Sequence, residues 1–567
     1  MSYIDWLVLA AALISIIVYG IWKSRHTKDI DSYLRASRRM PWYSVGLSVI
    51  ATQASAITFL AAHGQGYRDG LRFVQFYFGL PLAMIVLCIT FIPNFHKLNV
   101  YTAYEYLEKR FDIKTRAFTA ILFLIQRGLS TGITIYAPAI ILSILLNINV
   151  TYTTVVTGLA VILYTVYGGT KAVSYTQMFQ MAIIFLGLIM AGYMVVHLLP
   201  PGVGFIDALH IAGKMDHTNA LVTKFDPKDR YNIWSGIIGG FFLQLSYFGT
   251  DQSQVGRYLT GSSITQSRLG LVMNGLVKIP MQFLILLLGA LVFVFYQFHT
   301  PPVFFNKLEA ANTRTGAYSA QYIQLEKDYQ HVHDQKQQWV NALVPAVHRN
   351  NQKDIANIRT HLQQANAEAE RIRKSALPLI QKSNALADTP DDTNYIFLSF
   401  VTSYLPVGMV GLLIAIILLA AMGSTASGLN SLTSTTIIDF YRRYINNNAD
   451  ERTYLRASRL ATVAWGLFCI VVGLYASRLG NLIEAVNILG SLFYGTILGI
   501  FLVAFYVKRV GGTSVFYAAI LTEAIVVIVW KWDVMAFLWL NVVGCFLVVV
   551  FSLILQAVLP GKKEVKA

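Results

Sequence analysis

The chain has 567 residues, 55% of them hydrophobic and only 13% charged, a mix foreign to an ordinary soluble domain. Most of it must be solvated by lipid, which excludes a water-soluble enzyme or binding module. The net charge of +16 does not indicate nucleic acid, because the basic residues gather in short loops between apolar runs.

Apolar runs of about 20 residues, each long enough to cross roughly 30 Å of hydrocarbon, recur from Leu7 to Leu559. Thirteen helical spans are expected, with no competing strand-like alternation. The first, Ile4 to Trp22, has neither a basic leader nor a small-residue cleavage site and reads as a retained span. Lys23, Arg25, Lys28, Arg35, Arg38 and Arg39 follow it, and Lys97, Lys109, Arg110, Lys114 and Arg116 follow the third. Such loops are cytoplasmic by the positive-inside rule. The expectation is a multi-pass protein of the inner (plasma) membrane, amino terminus outside and carboxyl terminus inside, with the long loops Gly204 to Tyr231 and Pro301 to Asn394 external.

The second span interrupts its own apolarity at Ser48 to Ala56, and the seventh does so at Gln244 to Gln252. An unpaired backbone group in hydrocarbon costs several kcal/mol, so such clusters persist only where freed carbonyls meet protein, water or an ion. The two segments lie five spans apart and therefore run in opposite directions, as expected of the first helices of an inverted repeat. Beside the first break, Gln53, Ser55, Thr58, Gln75 and Phe76 are expected to line a chamber. Arg127 in the fourth span and Lys278 in the eighth each cost about 2.5 to 3.5 kcal/mol at mid-membrane. A guanidinium at Arg127 suits a bidentate clasp on a solute carboxylate. The competing reading is a structural pair with backbone carbonyls or a chain carboxylate. Lys278 reads as solute contact or structural brace.

From Pro301 to Asn394 the composition turns polar, yet Tyr318, Tyr322, Leu325, Tyr329, Val332, Trp339 and Leu343 keep a heptad spacing broken only at Lys336. Ile355, Ile358, Leu362, Ala365, Ala369, Ile372, Ala376 and Leu379 keep it throughout. An antiparallel coiled-coil hairpin follows, reaching roughly 40 Å from the membrane at 1.5 Å per residue. The expected organisation is spans one to eight over 1–300, the external hairpin over 301–393 and spans nine to thirteen over 394–567. The ninth span ends in Ala420 to Ser431, rich in small and hydroxyl residues. Close helix packing accounts for such a cluster, and so does a site for Na⁺, a hard cation served by carbonyl and hydroxyl oxygens without a buried acid. Cys88, Cys469 and Cys545 sit scattered in apolar spans and suggest neither a disulfide framework nor a metal site.

The run Tyr167-Gly168-Gly169-Thr170-Lys171-Ala172-Val173 with Thr176 and Gln180, then Gly249-Thr250-Asp251-Gln252 with Arg257, and Leu429-Asn430-Ser431 with Asp439 carry a family likeness. The chain resembles the sodium/solute symporters, which include bacterial sodium/galactose, sodium/proline and sodium/sialic acid carriers and the animal iodide and vitamin carriers. The resemblance implies an all-α leucine-transporter-like core, two inverted five-helix repeats formed by spans two to eleven, with one leading and two trailing helices. It implies a sodium site on the carbonyls of Ala51, Ala54 and Ala420 and the hydroxyl of Ser424. Gly423 stands where the family usually has a hydroxyl, so Thr425, water or solute is expected to complete the shell. Some relatives hold a second sodium through an aspartate that corresponds to Gln177 and hydroxyls that fall at Gly423, Ala426 and Ser427. Of these only Ser427 survives, and one Na⁺ per cycle is expected. Tyr247 matches the tyrosine that closes the sodium/galactose relative's chamber toward the cytoplasm, and Lys278 a lysine near its substrate. Tyr77 and Val486 replace its sugar-binding glutamate and glutamine, so this chamber is not built for galactose in the same way.

The expected function is sodium-coupled symport of a small polar solute by alternating access, with Na⁺ as the coupling ion. Arg127 favours an organic acid or acidic sugar over a neutral sugar. No His, Asp or Cys constellation within the spans suits catalysis or another metal. The alternative is a sensor or scaffold on the same fold, acting through residues 316–385 as a docking arm for an extracytoplasmic protein.

Overall fold

A computed structural model describes residues 2–24, 38–98, 100–386 and 390–559, and at positions 16, 17, 20–24, 167–172, 174, 175 and 477 the backbone alone. Arg25, Lys28 and Arg35, and the side chains of most of the Tyr167 to Val173 run, therefore lie outside the described residues. Within them all regular structure is helical, apart from one isolated bridge between Met40 and Gly261. Among the described residues nine helical stretches are long and apolar enough to cross a membrane, and Tyr3–Ser15 and Val150–Val166 are shorter apolar helices. Leu276, Leu460 and Phe546 project from helices whose other faces are buried, the sidedness that lipid demands.

The opening helix α1 (Tyr3–Ser24) is fastened at its N-terminal end by the buried carboxylate of Asp5, which accepts the N–H groups of Ser2, Gly408 and Gly411. The second span is two helices. α2 (Trp42–Gln53) stops at Ala54 (φ −81°, ψ 71°), Ser55 is extended (φ −85°, ψ 173°), and α3 (Ala56–Asp69) begins after it. Then come α4 (Leu80–Val86, carried on to Leu98 by a π turn), α5 (Ile113–Leu146), α6 (Val150–His197) and the short α7 (Phe205–Lys214). The seventh span breaks likewise. α8 (Gly240–Thr250) stops at Asp251 (φ −78°, ψ 117°), whose carboxylate accepts the Ser253 N–H at 2.8 Å and so starts α9 (Gln252–Tyr258). The architecture is an all-α polytopic membrane protein with two inverted five-helix repeats.

Both halves of the first broken span lie against α10 (Ile264–Phe298) at backbone distance. A Cβ at Gly66 would come within 2.4 Å of the Leu286 carbonyl, and one at Gly289 within 2.2 Å of the His63 carbonyl. Lower down, a Cβ at Gly46 would approach Gly270 O to 3.0 Å. Glycine is what permits these crossings.

After α11 (Lys307–Thr315), the antiparallel helices α12 (Ser319–His348) and α13 (Gln352–Ser383) form the hairpin. They do not stand off as a roughly 40 Å projection; α12 packs back onto α10 and α7. Near the base Tyr322, Tyr329, Ile372, Ala376 and Ile380 close over Val303 and Phe304. Farther out Val340, Leu343, Ile355, Ile358 and Leu362 belong to the main apolar core. The tip is tied to both ends of α7, by His348 Nε2 to Asp207 Oδ1 at 2.5 Å and by Arg359 to Asp216 at 2.7 Å. Lys336 breaks the heptad because its ammonium turns to Phe293 of α10, 5.8 Å from the ring centroid. At the base, buried Asp392 accepts from Arg373 of α13, Arg68 of α3 and the Phe305 N–H.

The chain ends with α14 (Ile396–Tyr404), α15 (Met409–Thr435), α16 (Glu451–Tyr475), α17 (Leu482–Tyr506), α18 (Gly512–Lys531) and α19 (Phe537–Val558).

Candidate functional site

Breaking the helix at Ala54 removes the next turn of hydrogen bonds. Among the described residues, no backbone N–H meets the carbonyls of Ala51 and Ala54. Both α2 and α3 pack on α15. There the Ser424 hydroxyl donates to Ala420 O at 2.9 Å and to Ala421 O at 3.2 Å. With its hydrogen turned back into the helix, its oxygen lone pairs face outward. The Thr425 hydroxyl is buried without a partner. The carbonyls of Ala51 and Ala54 and the hydroxyls of Ser424 and Thr425 are neutral oxygens lacking donors, which suits a small hard cation as substrate, whereas the expected Ala420 carbonyl already accepts from Ser424.

Gly423 has a spatial reason. A Cβ there would sit 2.5 Å from Gln180 Oε1, so an amide fills the volume that a hydroxyl side chain would need. One turn on, Gln177 Nε2 donates to Gly423 O (3.2 Å) and Ser427 Oγ (3.0 Å), while its Oε1 accepts from Ser48 (2.7 Å). Arg257 Nη2 reaches the same Ser427 oxygen at 2.8 Å, and Thr52 Oγ1 lies 3.3 Å from it. Ser427 thus faces an amide NH₂ and a guanidinium, which are donors where a cation would need acceptors.

Beside the first break is a chamber of about 110 Å³, room for several waters or a small solute. Gln53, Ser55, Thr58, Phe76, Arg127 and Tyr247 line it, and Ser424 opens onto it. Gln53 Oε1 and both polar atoms of Gln244, another lining residue, are buried without partners. Two expected residues are elsewhere. Gln75 donates to Tyr231 O (3.0 Å) and accepts the Val222 N–H (3.0 Å), pinning the loop before α8. Lys278 stands one layer behind, its ammonium 5.5 Å from the ring centroid of Tyr77, which does line the chamber.

Arg127 has the chain carboxylate of the competing reading beside it, since Nη2 is paired with Asp251 and also donates to Tyr494 OH at 3.1 Å. Tyr494 in turn donates to Asp251 at 2.8 Å. Only Nε is buried without a partner. The guanidinium lies 5.5 Å from the Tyr247 ring centroid, and the Tyr247 hydroxyl accepts from Gln254 at 2.7 Å. The sequence marks Asp251 as part of a motif but not as the counterion. Its direction is set by the non-helical backbone at that residue, and Tyr494 carries no sequence signal at all. The second break is closed on its far side by the segment after α4. Tyr104 OH donates to Thr250 O (2.8 Å), and the Gln252 amide bridges the Ala103 N–H (3.1 Å) and Tyr101 O (2.9 Å).

The sodium:solute symporter family model matches residues 33–331 and 376–522. The chain is similar to the sodium/sialic acid symporter of Aliivibrio fischeri, 25% identical over 96% of this chain and 92% of the relative. It is also similar to that of Proteus mirabilis, 24% identical over 99% and 97%. Among solved structures, the fold is similar to the substrate-bound, outward-open state of a Na⁺-coupled sialic acid symporter, with a TM-score of 0.74, 22% identity and 98% of both chains covered.

Proposed function

Because the chain belongs to the sodium:solute symporter family, we propose that this sodium-coupled symporter imports one small polar solute with one Na⁺ per cycle by alternating access. The interrupted helix at Ala54 and Ser55 carries the reading: its bare carbonyls lie on the helix that presents Ser424 and Thr425, next to a chamber lined with unpaired amides. Sodium bound there bridges α2 and α15, orders the break and completes the chamber, so solute affinity rises with Na⁺ by linkage. Tyr247 closes the chamber toward the cytoplasm. The donors that crowd Ser427 support a single sodium.

Sialic acid is the named cargo of two relatives that match nearly the whole chain. An acidic sugar or other small organic acid is accordingly favoured over a neutral sugar, its carboxylate meeting the Nε edge of Arg127 while Asp251 keeps Nη2. The chain sits in the inner (plasma) membrane with the amino terminus outside, the carboxyl terminus in the cytoplasm and the 301–393 hairpin on the outer face, where residues 316–385 also offer a surface to an extracytoplasmic protein.

Solute class has an energetic signature. One Na⁺ entering down 100 mV releases about 2.3 kcal/mol, and a tenfold concentration ratio adds about 1.4 kcal/mol. A neutral solute could thus be held roughly 500-fold concentrated inside. For a monoanion the two charges cancel, the voltage does no work, and the limit falls to the sodium ratio itself. Uptake of sialic acid and of lactate into vesicles of purified protein, with an imposed Na⁺ gradient and with or without a clamped potential, tests both points. Sodium-dependent, voltage-insensitive accumulation is expected. Equal uptake in K⁺ medium would sink the reading.

A further inference from the structure

α15 carries Ser424, Ser427, Ser431 and Ser434 at intervals of three, four and three, so the hydroxyls share one face over about 15 Å. Each donates into its own helix: Ser424 to Ala420 O (2.9 Å), Ser427 to Gly423 O (2.9 Å), Ser431 to Gly428 O (2.6 Å) and Ser434 to Ser431 O (3.0 Å). The lone pairs are left to face away from the backbone. Between this face and α9 lies a second cavity of about 10 Å³, room for one water-sized body. Ser427, Ser431 and Ser434 form one wall with Asn430, and Ser253 of α9 stands opposite. The Ser253 hydroxyl and both polar atoms of the Asn430 amide are buried without partners. No carboxylate lines the cavity. Neutral oxygens in a space of this size replace part of a sodium ion's hydration without trapping it, as a site of passage must. The chamber's solute would not fit. Arg257 also lines this cavity and lays its guanidinium on Ser427, between Ser424 and the lower serines.

We propose that this seam is the sodium release route toward the cytoplasm and that Arg257 is its gate. The inference rests on reading Ser424 as part of the ion site. While Arg257 holds Ser427, a cation leaving Ser424 meets a like charge about one helical turn away, and the route is shut. Release requires α9 to part from α15 and carry the guanidinium with it, which exposes Ser431, Ser434, Asn430 and Ser253 in succession. Sodium then leaves by a way separate from the solute's.

The test uses ²²Na⁺ flux across vesicles of the full-length protein with sodium alone, no solute being present. Arg257→Gln is expected to raise the leak by about tenfold or more, since a 1.4 kcal/mol barrier is worth that factor, whereas Arg257→Lys keeps the wild-type seal. A folded Arg257→Gln protein as tight as wild type overturns the gate. Independently, Ser434→Ala and Asn430→Ala should lower net solute uptake several-fold yet leave solute exchange, measured with saturating Na⁺ on both sides, near wild type. Equal loss of both, or of neither, overturns the route, and this pair decides if Arg257→Gln does not fold. Absence of sodium-dependent uptake in the wild type would instead count against the proposed function, and the sodium-only leak is read without it.

Discussion

Arg127 and Asp251 are each costly in lipid and tolerable together, with Tyr494 completing the carboxylate's shell. Asp251→Asn strands the guanidinium, and breaking such a buried pair costs about 3 to 5 kcal/mol. A clearly lowered melting temperature in detergent is expected, largely restored in the Arg127→Gln/Asp251→Asn double variant; an unaltered single variant would show that the pair is not holding α5 to the second break. Ser424→Ala removes one oxygen from the proposed ion site while sparing its packing. The sodium concentration for half-maximal solute binding should rise about tenfold, or roughly 1.4 kcal/mol, at unchanged maximal binding. No shift would remove Ser424 from the ion's shell.

The interruptions are legible as elements because hydroxyl, amide and glycine residues clustered inside an apolar run weaken a helix where lipid cannot satisfy the freed backbone. The contacts are not. Gln75 and Lys278 announce buried polarity, yet whether such a group faces a chamber or a loop depends on helix rotation, which a single polar residue does not define. The hairpin shows the same division. Its heptads predict two helices, but not that Val340 and Leu343 join the main core or that Arg359 and His348 reach Asp216 and Asp207 at the ends of α7, far away in the chain. Lys336, a flaw in the heptad, turns out to face α10, and burial pushes its pKa from 10.5 down to about 7. The folded lysine therefore binds fewer protons than the unfolded one between those values, and stability rises as pH climbs through that interval. Lys336→Met should raise the melting temperature at pH 7 and flatten the increase between pH 7 and 10. A wild-type protein with no such increase would place the ammonium in water.

At the scale of the whole molecule, two kinds of contact divide the helices. α2 and α3 meet α10 backbone to backbone through Gly46, Gly66, Gly270 and Gly289, and α5 meets α15 and α16 closely through Gly428 and Gly132. Between these two groups Thr52 of α2 is hydrogen-bonded to Ser427 of α15 instead, and Ser48 of α2 meets Gln177 of α6, and Arg257 of α9 meets Ser427, in the same way. A disulfide reports the difference if its geometry is met. Oxidised Thr52→Cys/Ser427→Cys should stop sodium-driven uptake until reduced, whereas Gly46→Ala, which sets a methyl against Met273 and the Gly270 carbonyl, should lower the melting temperature; uptake that survives oxidation of the cysteine pair would contradict this division.

Backbones interlocked at glycine cannot slide without collision, whereas a hydroxyl that loses one neighbour finds another a short step away. The helices are therefore built as two rigid castings with a polar bearing between them, and friction is lowest along the surface that carries the proposed ion site. A mutation that greases this joint with methyl groups would stiffen the machine rather than loosen it.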